Sequence, residues 1–454
     1  MIRSYSDAVK LLEKYIPTSD KKHPGKFGLT RMKNLAGLLG NPQDSYKTIH
    51  VGGTSGKGST ATIITSILAT KYKVGLHTSP HLVRVNERFQ VYSYLKSQRL
   101  KLKTTSQKLK LSIEISNHDF IDLVNEIMPA VKKMERSKTG APSYFEIVTA
   151  MSFLYFKKQK VDFGVIETGM GGSYDATNII HPETAVITNV GLDHTEVLGE
   201  TVEEIARDKA GIIKPGVKAV TGVKQPAVIK ILESRCKIYD SRVSLLGKDF
   251  RYKINKIDDK GSYLDYWGKR IYKNLFIPLP GVYQAENAAL AVRTAEELGV
   301  EEEDIRSGLK QSYIPGRMEI VRRRPLTILD GAHNPDKIRA LAYSFDKIWK
   351  GKKIVLVLAV KKEKNAGKML EVILPVCKKV YLTEYKLLTD QGVIESYKPQ
   401  DLSKMIEKTG YKGQLKIIMN PQEAYKKAIG ESKEEDIILA TGSLYLIGEI
   451  KKSL

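Results

Sequence analysis

HVGGTSGKGSTATIITSIL, running from His50 to Leu68, joins the end of an apolar strand to a glycine-rich loop with one lysine, and the loop opens into a helical run. This is a layout for holding the phosphates of a nucleotide. Backbone N–H groups of Gly53, Thr54, Ser55, Gly56, Lys57 and Gly58 can converge on an anion. The helix start adds partial positive charge, and the Lys57 side chain adds a full one. The Ser59 hydroxyl suits a Mg²⁺ that bridges two phosphates. Gly58, between Lys57 and Ser59, departs from the general P-loop pattern. The strand before and the helix after supply the required context, and the stretch reads as an ATP site.

The rest of the chain fits an enzyme of that kind. With 454 residues it exceeds one ordinary core, so two domains are expected. Hydrophobic residues make up 42%, as in a soluble globular protein, and no apolar run approaches the length of about 18 residues that spans a bilayer. The start, MIRSYSDAVKLLEKYI, lacks the apolar core of a secretion signal. Cys236 and Cys377 are too few and too far apart for a disulfide framework, so a cytoplasmic setting is expected. The net charge of +23 could mark a nucleic-acid binder or an enzyme of anionic substrates. The lysines are scattered and not interleaved with aromatics for base stacking, so solvated faces account for them and no nucleic-acid partner is expected.

From about Tyr46 strands and helices alternate, the mark of an α/β protein with a mostly parallel sheet. TIHVGG, KVGLHTS, FGVIETG, TAVITNVG and GVKAVTGV read as strands, with amphipathic helices among them such as DFIDLVNEIMPAVKKM and SYFEIVTAMSFLYFKK. Ser244 to Phe276 reads as antiparallel ribbons. TILDG, IVLVLAV, KVYLTEY, LKIIM and IILATG then form a second series, a smaller Rossmann-like α/β domain over 314–454 after an ATP-binding domain over 1–313. Between Tyr92 and His118 lies a basic insertion. Its alternating Leu100, Leu102, Leu109, Leu111, Ile113 and Ile115 about the polar TTSQ predict a β-hairpin, either a solvated one or a flap over an acidic substrate.

Four further residues stand out. Glu146 sits among apolar neighbours on a helix, where an acid is costly unless it pairs or binds metal. Asp193 and His194 follow a strand end in NVGLDHTEVLG, and Lys209 closes the helical VEEIARDK.

GTSGKGS, TSPHLVRVNER, SYFEIVTAM, ETGMGGSYDATNII, TNVGLDHTEVLGETVEEIARDKAGIIKPG, LPGVYQAENAALA, PGRMEI, LDGAHNP and TGSLYLIGEI occur in this order. Together they resemble the folylpolyglutamate synthase/dihydrofolate synthase family of the Mur ligase superfamily, from Phe27 to the C-terminus, interrupted mainly by the basic insertion. The resemblance implies a Mur-type central domain and a C-terminal glutamate ligase domain. It implies two Mg²⁺ ions, with Ser59, Glu146 and His194 as ligands and Lys209 carbamylated by CO₂ to orient the second. A lysine must be a neutral amine to react so, hence one with a lowered pKa. Lys57, Glu146, His194 and Lys209 form the implied catalytic set. Asn287, Arg317, Asp330 and His333 would meet ATP, while Phe27, Arg31, Thr78, Ser79, Pro80, His81 and Leu82 would border the pterin substrate.

The implied reaction passes the γ-phosphate of ATP to the carboxylate of dihydropteroate or a reduced folate, and the amine of L-glutamate then displaces phosphate. A monomer with small-molecule partners is expected. Ser55, Ser173, Asp208 and Tyr283 stand where many relatives have Asn, Arg, Glu and His. The alternatives are another Mur-type acid–amino-acid ligase, or a basic P-loop ATPase acting on nucleic acid.

Overall fold

The computed structural model describes residues 1–17, 25–93 and 112–454, with the side chains of 25–27 and 112 outside that description. The chain divides into two compact units. The first comprises Met1–Lys253, Asp265–Leu275 and Glu286–Ser312, and the second Ile254–Leu264, Phe276–Ala285 and Tyr313–Leu454.

The first unit is built on β1 (Lys47–Gly52), β2 (Val74–His77), β3 (Gln90–Tyr92), β4 (Ser112–Glu114), β5 (Phe163–Glu167), β6 (Thr184–Ile187), β7 (Lys218–Thr221) and β8 (Val243–Leu245). They form one sheet in the order β4-β3-β2-β5-β1-β6-β7-β8. The six strands from β2 to β8 in that order are parallel, and β3 and β4 extend the sheet antiparallel. β5 and β6 are buried at every residue, and β1 at all but its first, which is why they read as unbroken apolar runs rather than alternating ones. The helices Lys57–Leu68 and Tyr144–Lys158 are likewise buried over most of their length.

That topology decides where a ligand binds. Because β2, β5, β1 and β6 run the same way, the segments that follow them emerge along one edge. These are TSPHL, TGMGGSYD, the P-loop and TNVGLDH, and the carboxyl edge is where open α/β sheets bind ligands.

β9 (Arg251–Asp258), β10 (Gly261–Trp267) and β11 (Ile271–Ile277) form a separate three-stranded sheet, as the ribbon reading expects. Its first residues differ: Ser244 and Leu245 belong to β8, parallel to β7. A strand of three residues is too short for its periodicity to tell the two cases apart. β3 and β4 pair antiparallel, Gln90 opposite Glu114, so the basic insertion leaves and rejoins the sheet at adjacent strands. The predicted strands at Leu100, Leu102, Leu109 and Leu111 lie outside the described residues.

The second unit carries β12 (Glu319–Arg323), β13 (Leu326–Leu329), β14 (Ile354–Leu358), β15 (Cys377–Leu382), β16 (Lys386–Thr389), β17 (Gly392–Glu395), β18 (Gln414–Ile417) and β19 (Ile437–Thr441). Six of them form a sheet in the order β12-β13-β19-β14-β15-β18, parallel except for β12, while β16 and β17 pair on their own. Ile328, Leu356, Val380 and Leu439 pack from this sheet into the unit's core with Ile338, Leu341 and Phe345 of the helix Pro335–Ile348.

Candidate active site

The P-loop is held from the strand beside it. Thr54 N donates to Asn189 O at 3.0 Å, and Ser55 N donates to Asn189 Oδ1 at 2.8 Å. Thr188 Oγ1 donates to Ser55 O at 2.6 Å. Two of the glycines are sterically required. Gly53 has φ +139°, and a Cβ there would lie 2.0 Å from Thr188 Oγ1. Gly56 has φ +81°, and its Cβ would meet Asn287 Oδ1 at 2.5 Å. Asn287, on the helix Val282–Glu297, also accepts from Thr60 Oγ1 at 3.4 Å, so this residue expected at the nucleotide does reach the loop.

Gly58 has its own explanation. A Cβ there would lie 3.2 Å from Glu167 Oε2. Glu167 ends β5, is 5% exposed, and accepts from Ser79 N at 3.0 Å. One carboxylate thus meets the P-loop and the TSPHL loop together. An acid at the end of the strand next to a P-loop strand occupies the place that holds Mg²⁺ in P-loop enzymes generally. FGVIETG reads as a strand alone; the signal for this residue is an apolar run that ends in an acid.

Glu146 goes elsewhere. Arg31 grips its carboxylate with two bonds, Nε to Oε2 at 3.0 Å and Nη2 to Oε1 at 2.8 Å, and Ser143 N donates to Oε2 at 2.8 Å. Pairing is one of the two ways to offset a buried acid. The same contacts engage Arg31. Phe27 lies on the helix Gly25–Leu38 with its side chain outside the description.

Lys209 sits at the end of the helix Val202–Lys209, 4% exposed, and donates from Nζ to Gly53 O at 3.1 Å. Burial, and then the charge of Lys57, push its pKa down to about 7, against the pull of Asp208, Asp193 and Asp175. The GMGGS loop clamps this helix end: Ser173 N and Oγ both donate to Asp208 O at 2.9 Å, and Gly172 has no room for a Cβ beside Lys209. His194 adopts the left-handed conformation, φ +52°, at the head of Thr195–Leu198, with Nδ1 3.7 Å from Glu196.

Of the TSPHL residues, Pro80 is exposed and Thr78 half-buried. His81 Nδ1 accepts from Arg88 Nε at 3.0 Å, and Leu82 N donates to Glu87 Oε2 at 2.6 Å. Glu87 also accepts from Val83 N and Arg84 N, so a single carboxylate holds this loop's backbone.

In the second unit, Asp330 is 2% exposed and accepts from Tyr283 Oη at 3.0 Å, and from Met318 N and Ala332 N at 2.8 Å. Burial raises its pKa despite Arg317. His333 Nδ1 donates to Gly331 O at 2.8 Å, which leaves Nε2 to accept from Lys337 Nζ at 2.9 Å. Burial and Lys337 hold that ring neutral. Arg317 Nη1 donates to Gly316 O at 3.2 Å.

Among the described residues, the one group of three or more His, Cys, Asp or Glu side chains close enough to share an ion is His118, Asp119 and Asp122, all exposed. Glu146, Glu167 and His194 are in no such group. No helix of the described residues is long and apolar enough to cross a membrane.

Comparison with known proteins adds to this geometry. Residues 103–295 match the Mur ligase middle domain, and residues 316–444 the Mur ligase, glutamate ligase domain. The chain is 33% identical over 451 residues to the dihydrofolate synthase/folylpolyglutamate synthase of Bacillus subtilis (strain 168), covering 94% of this chain and 95% of that one. Mycobacterium tuberculosis folylpolyglutamate synthase, solved in complex with ADP, superposes with a TM-score of 0.84 at 28% identity, over 99% of this chain and 98% of that one. A structure described as an FPGS–AMPPCP–folate complex superposes with a TM-score of 0.79 at 28% identity, over 99% of both chains.

Proposed function

We propose a division of labour for a chain that belongs to the dihydrofolate synthase/folylpolyglutamate synthase family and is an ATP-dependent glutamate ligase. The P-loop amides and Lys57 hold the β- and γ-phosphates of ATP, as oriented donors stabilise charge in phosphoryl transfer. The substrate carboxylate attacks the γ-phosphorus, the bond to ADP breaks, and an acyl phosphate forms. The amine of L-glutamate then attacks the acyl carbon, phosphate leaves, and the amine loses its proton as the amide forms.

The donors near the loop fit Mg²⁺. Glu167 and Ser59 would offer hard oxygens and His194 would be a third ligand, while Gly58 keeps the approach to Glu167 open. A bound Mg²⁺ would offset the phosphate charge. This reading moves the metal role from Glu146 to Glu167, because Arg31 and Ser143 engage Glu146.

Lys209 is the observation that carries the reading. Its amine is buried against Gly53 O with its pKa near 7, so it is available to CO₂ at neutral pH. The resulting carbamate would be an anion able to hold a second Mg²⁺. Glu87 holds the TSPHL loop, which borders the pterin acid, and the AMPPCP–folate complex of a relative supports a folate-type acid as substrate.

The test is ADP release with product mass analysis, using dihydropteroate and tetrahydrofolate separately. ADP release that needs both the acid and L-glutamate, with a product heavier by one glutamyl residue, is expected. Release stimulated by nucleic acid alone would overturn the reading. Extension of dihydropteroate, tetrahydrofolate or both decides which of the two synthase activities the chain has.

A further inference from the structure

His50 lies in the middle of β1, between Ile166 of β5 and Ala185 of β6, and is fully buried. Its Nε2 is 2.7 Å from Thr177 Oγ1, which is in turn 2.5 Å from Asp175 Oδ1. Asp175 also accepts from Thr177 N at 2.9 Å and, through Oδ2, from Met170 N at 2.8 Å. None of the three residues is more than 3% exposed.

The protons along this chain have one arrangement. Two backbone N–H groups point at Asp175, so its carboxylate accepts, and the Thr177 hydroxyl gives it its single proton. Thr177 Oγ1 must then accept from His50, which carries its own proton on Nε2. That leaves Nδ1 bare, and among the described residues it has no hydrogen-bond partner. Burial, and then Lys214, hold the ring neutral, with its pKa lowered to about 3.

A buried ring nitrogen without a partner is a cost that an apolar side chain on this strand would not carry. What the histidine supplies in return is the Nε2–H donor. The turn into the short helix Ala176–Ile179 does not require it, because that cap is made by Thr177 N on Asp175.

The chain of bonds leads to Lys209. Asp175 holds Met170 N with its carboxylate, and its own N donates to Gly172 O at 3.3 Å, so it ties the loop 170–175 to itself. Within that loop a Cβ on Gly172 would lie 2.8 Å from Lys209 Cα, and Ser173 bonds twice to Asp208 O. Lys209 donates to Gly53 O, in the P-loop that β1 itself leads into. We propose that His50 is a positioning residue: through Thr177 and Asp175 it fixes the loop that seats Lys209 against the P-loop. This rests on the reading of Lys209 as a residue of the reaction.

The test uses the full chain with His50→Leu, which removes the donor, and His50→Gln, whose side-chain N–H falls near the place of Nε2. Nitrogen NMR of the wild type should show His50 protonated on Nε2 and bare on Nδ1 between about pH 5 and 8. His50→Leu should lower kcat about tenfold while KM for ATP stays within about twofold. It should also speed amide hydrogen exchange at Met170 and Ser173 about tenfold, and His50→Gln should recover most of both losses. Thr177→Val breaks the same chain, so adding His50→Leu to it should change kcat no further. If His50→Leu misfolds, Thr177→Val compared with Thr177→Ser makes the same measurement. A histidine that serves packing alone would lower Tm and leave kcat and loop exchange at wild-type values. That result, losses that multiply in the double variant, or a proton on Nδ1 would overturn the proposal. An active Lys209→Met variant would instead overturn the reading of Lys209, and exchange in the loop 170–175 would still decide the role of His50.

Discussion

Replacing Lys209 by methionine should stabilise the protein while abolishing ligation. The ordinary lysine value is 10.5 and the folded one about 7. Below pH 7 both the folded and unfolded states carry the proton, and the folded state bears the full cost of the buried cation. Between about 7 and 10.5 the unfolded chain binds the extra proton, so stability rises with pH; above that both states are neutral and the cost is gone. A gap of about 3.5 units at about 1.4 kcal/mol each sets a ceiling of about 5 kcal/mol. Methionine fills similar space without the charge and loses the bond to Gly53 O, worth about 1 kcal/mol.

The net expectation is a gain of about 2–4 kcal/mol at pH 6 that fades by about pH 10. Urea unfolding in CO₂-depleted buffer, followed by the fluorescence of Trp267 in the first unit, measures it. The same property serves function: near pH 7 about half of the Lys209 amines are neutral, against roughly one in 3,000 for an ordinary lysine. Labelled bicarbonate should therefore give a carbamate signal in the wild type that Lys209→Met lacks. A variant less stable than the wild type at pH 6, or a difference that does not change with pH, would refute the reasoning.

Glu146→Gln removes the carboxylate that Arg31, on a side chain 15% exposed, grips with two bonds. It should cost about 3–5 kcal/mol in unfolding experiments with the Mg²⁺ requirement unchanged; the reverse pattern would return Glu146 to the metal. Glu167→Gln should do the opposite, raising the Mg²⁺ concentration for half-maximal turnover about tenfold or more with little change in Tm. Gly53→Ala puts a methyl 2.0 Å from Thr188 Oγ1 at φ +139° and should remove ADP binding in calorimetry, whereas retained affinity would show that the loop can relax.

How much of this was legible in the sequence depended on how local each arrangement is. The P-loop could be read because its donors follow one another along the chain, and the strand–loop–helix context lies within 19 residues of His50–Leu68. Glu146 reads as an acid that needs a partner or a metal, but Arg31, which grips it, lies 115 residues away, and nothing in either neighbourhood names the other. Glu167 needed the strand order. Only once β5 is known to lie beside β1 does its last residue fall against Gly58, and sheet order does not follow from strand patterns alone. Asn189, which holds Ser55, was hidden for the same reason: β6 is the other neighbour of β1.

Ser55, Ser173, Asp208 and Tyr283, where the resemblance leads one to expect other residues, differ in what they contribute here. Ser55 serves the loop through its backbone, N to Asn189 and O from Thr188, so a serine in place of asparagine leaves those bonds intact. Asp208 likewise contributes its carbonyl to the clamp, and Ser173 returns one bond by N and one by Oγ. Tyr283 is different, because its contact is made by the side chain: Oη donates to the buried carboxylate of Asp330. Burial and Asp330 hold the Tyr283 phenol well above its usual pKa, so it is a neutral donor throughout the working pH range. A histidine in that place could take up a proton and pair with Asp330 as a cation. The Asp330 carboxylate, whose pKa burial raises, would then be drawn down and fixed as an anion. Of the four departures, this is the one that changes the charge balance of a loop carrying residues expected at ATP. Tyr283→His should therefore make nucleotide affinity depend on pH near the ordinary histidine value, where the wild type shows no such step.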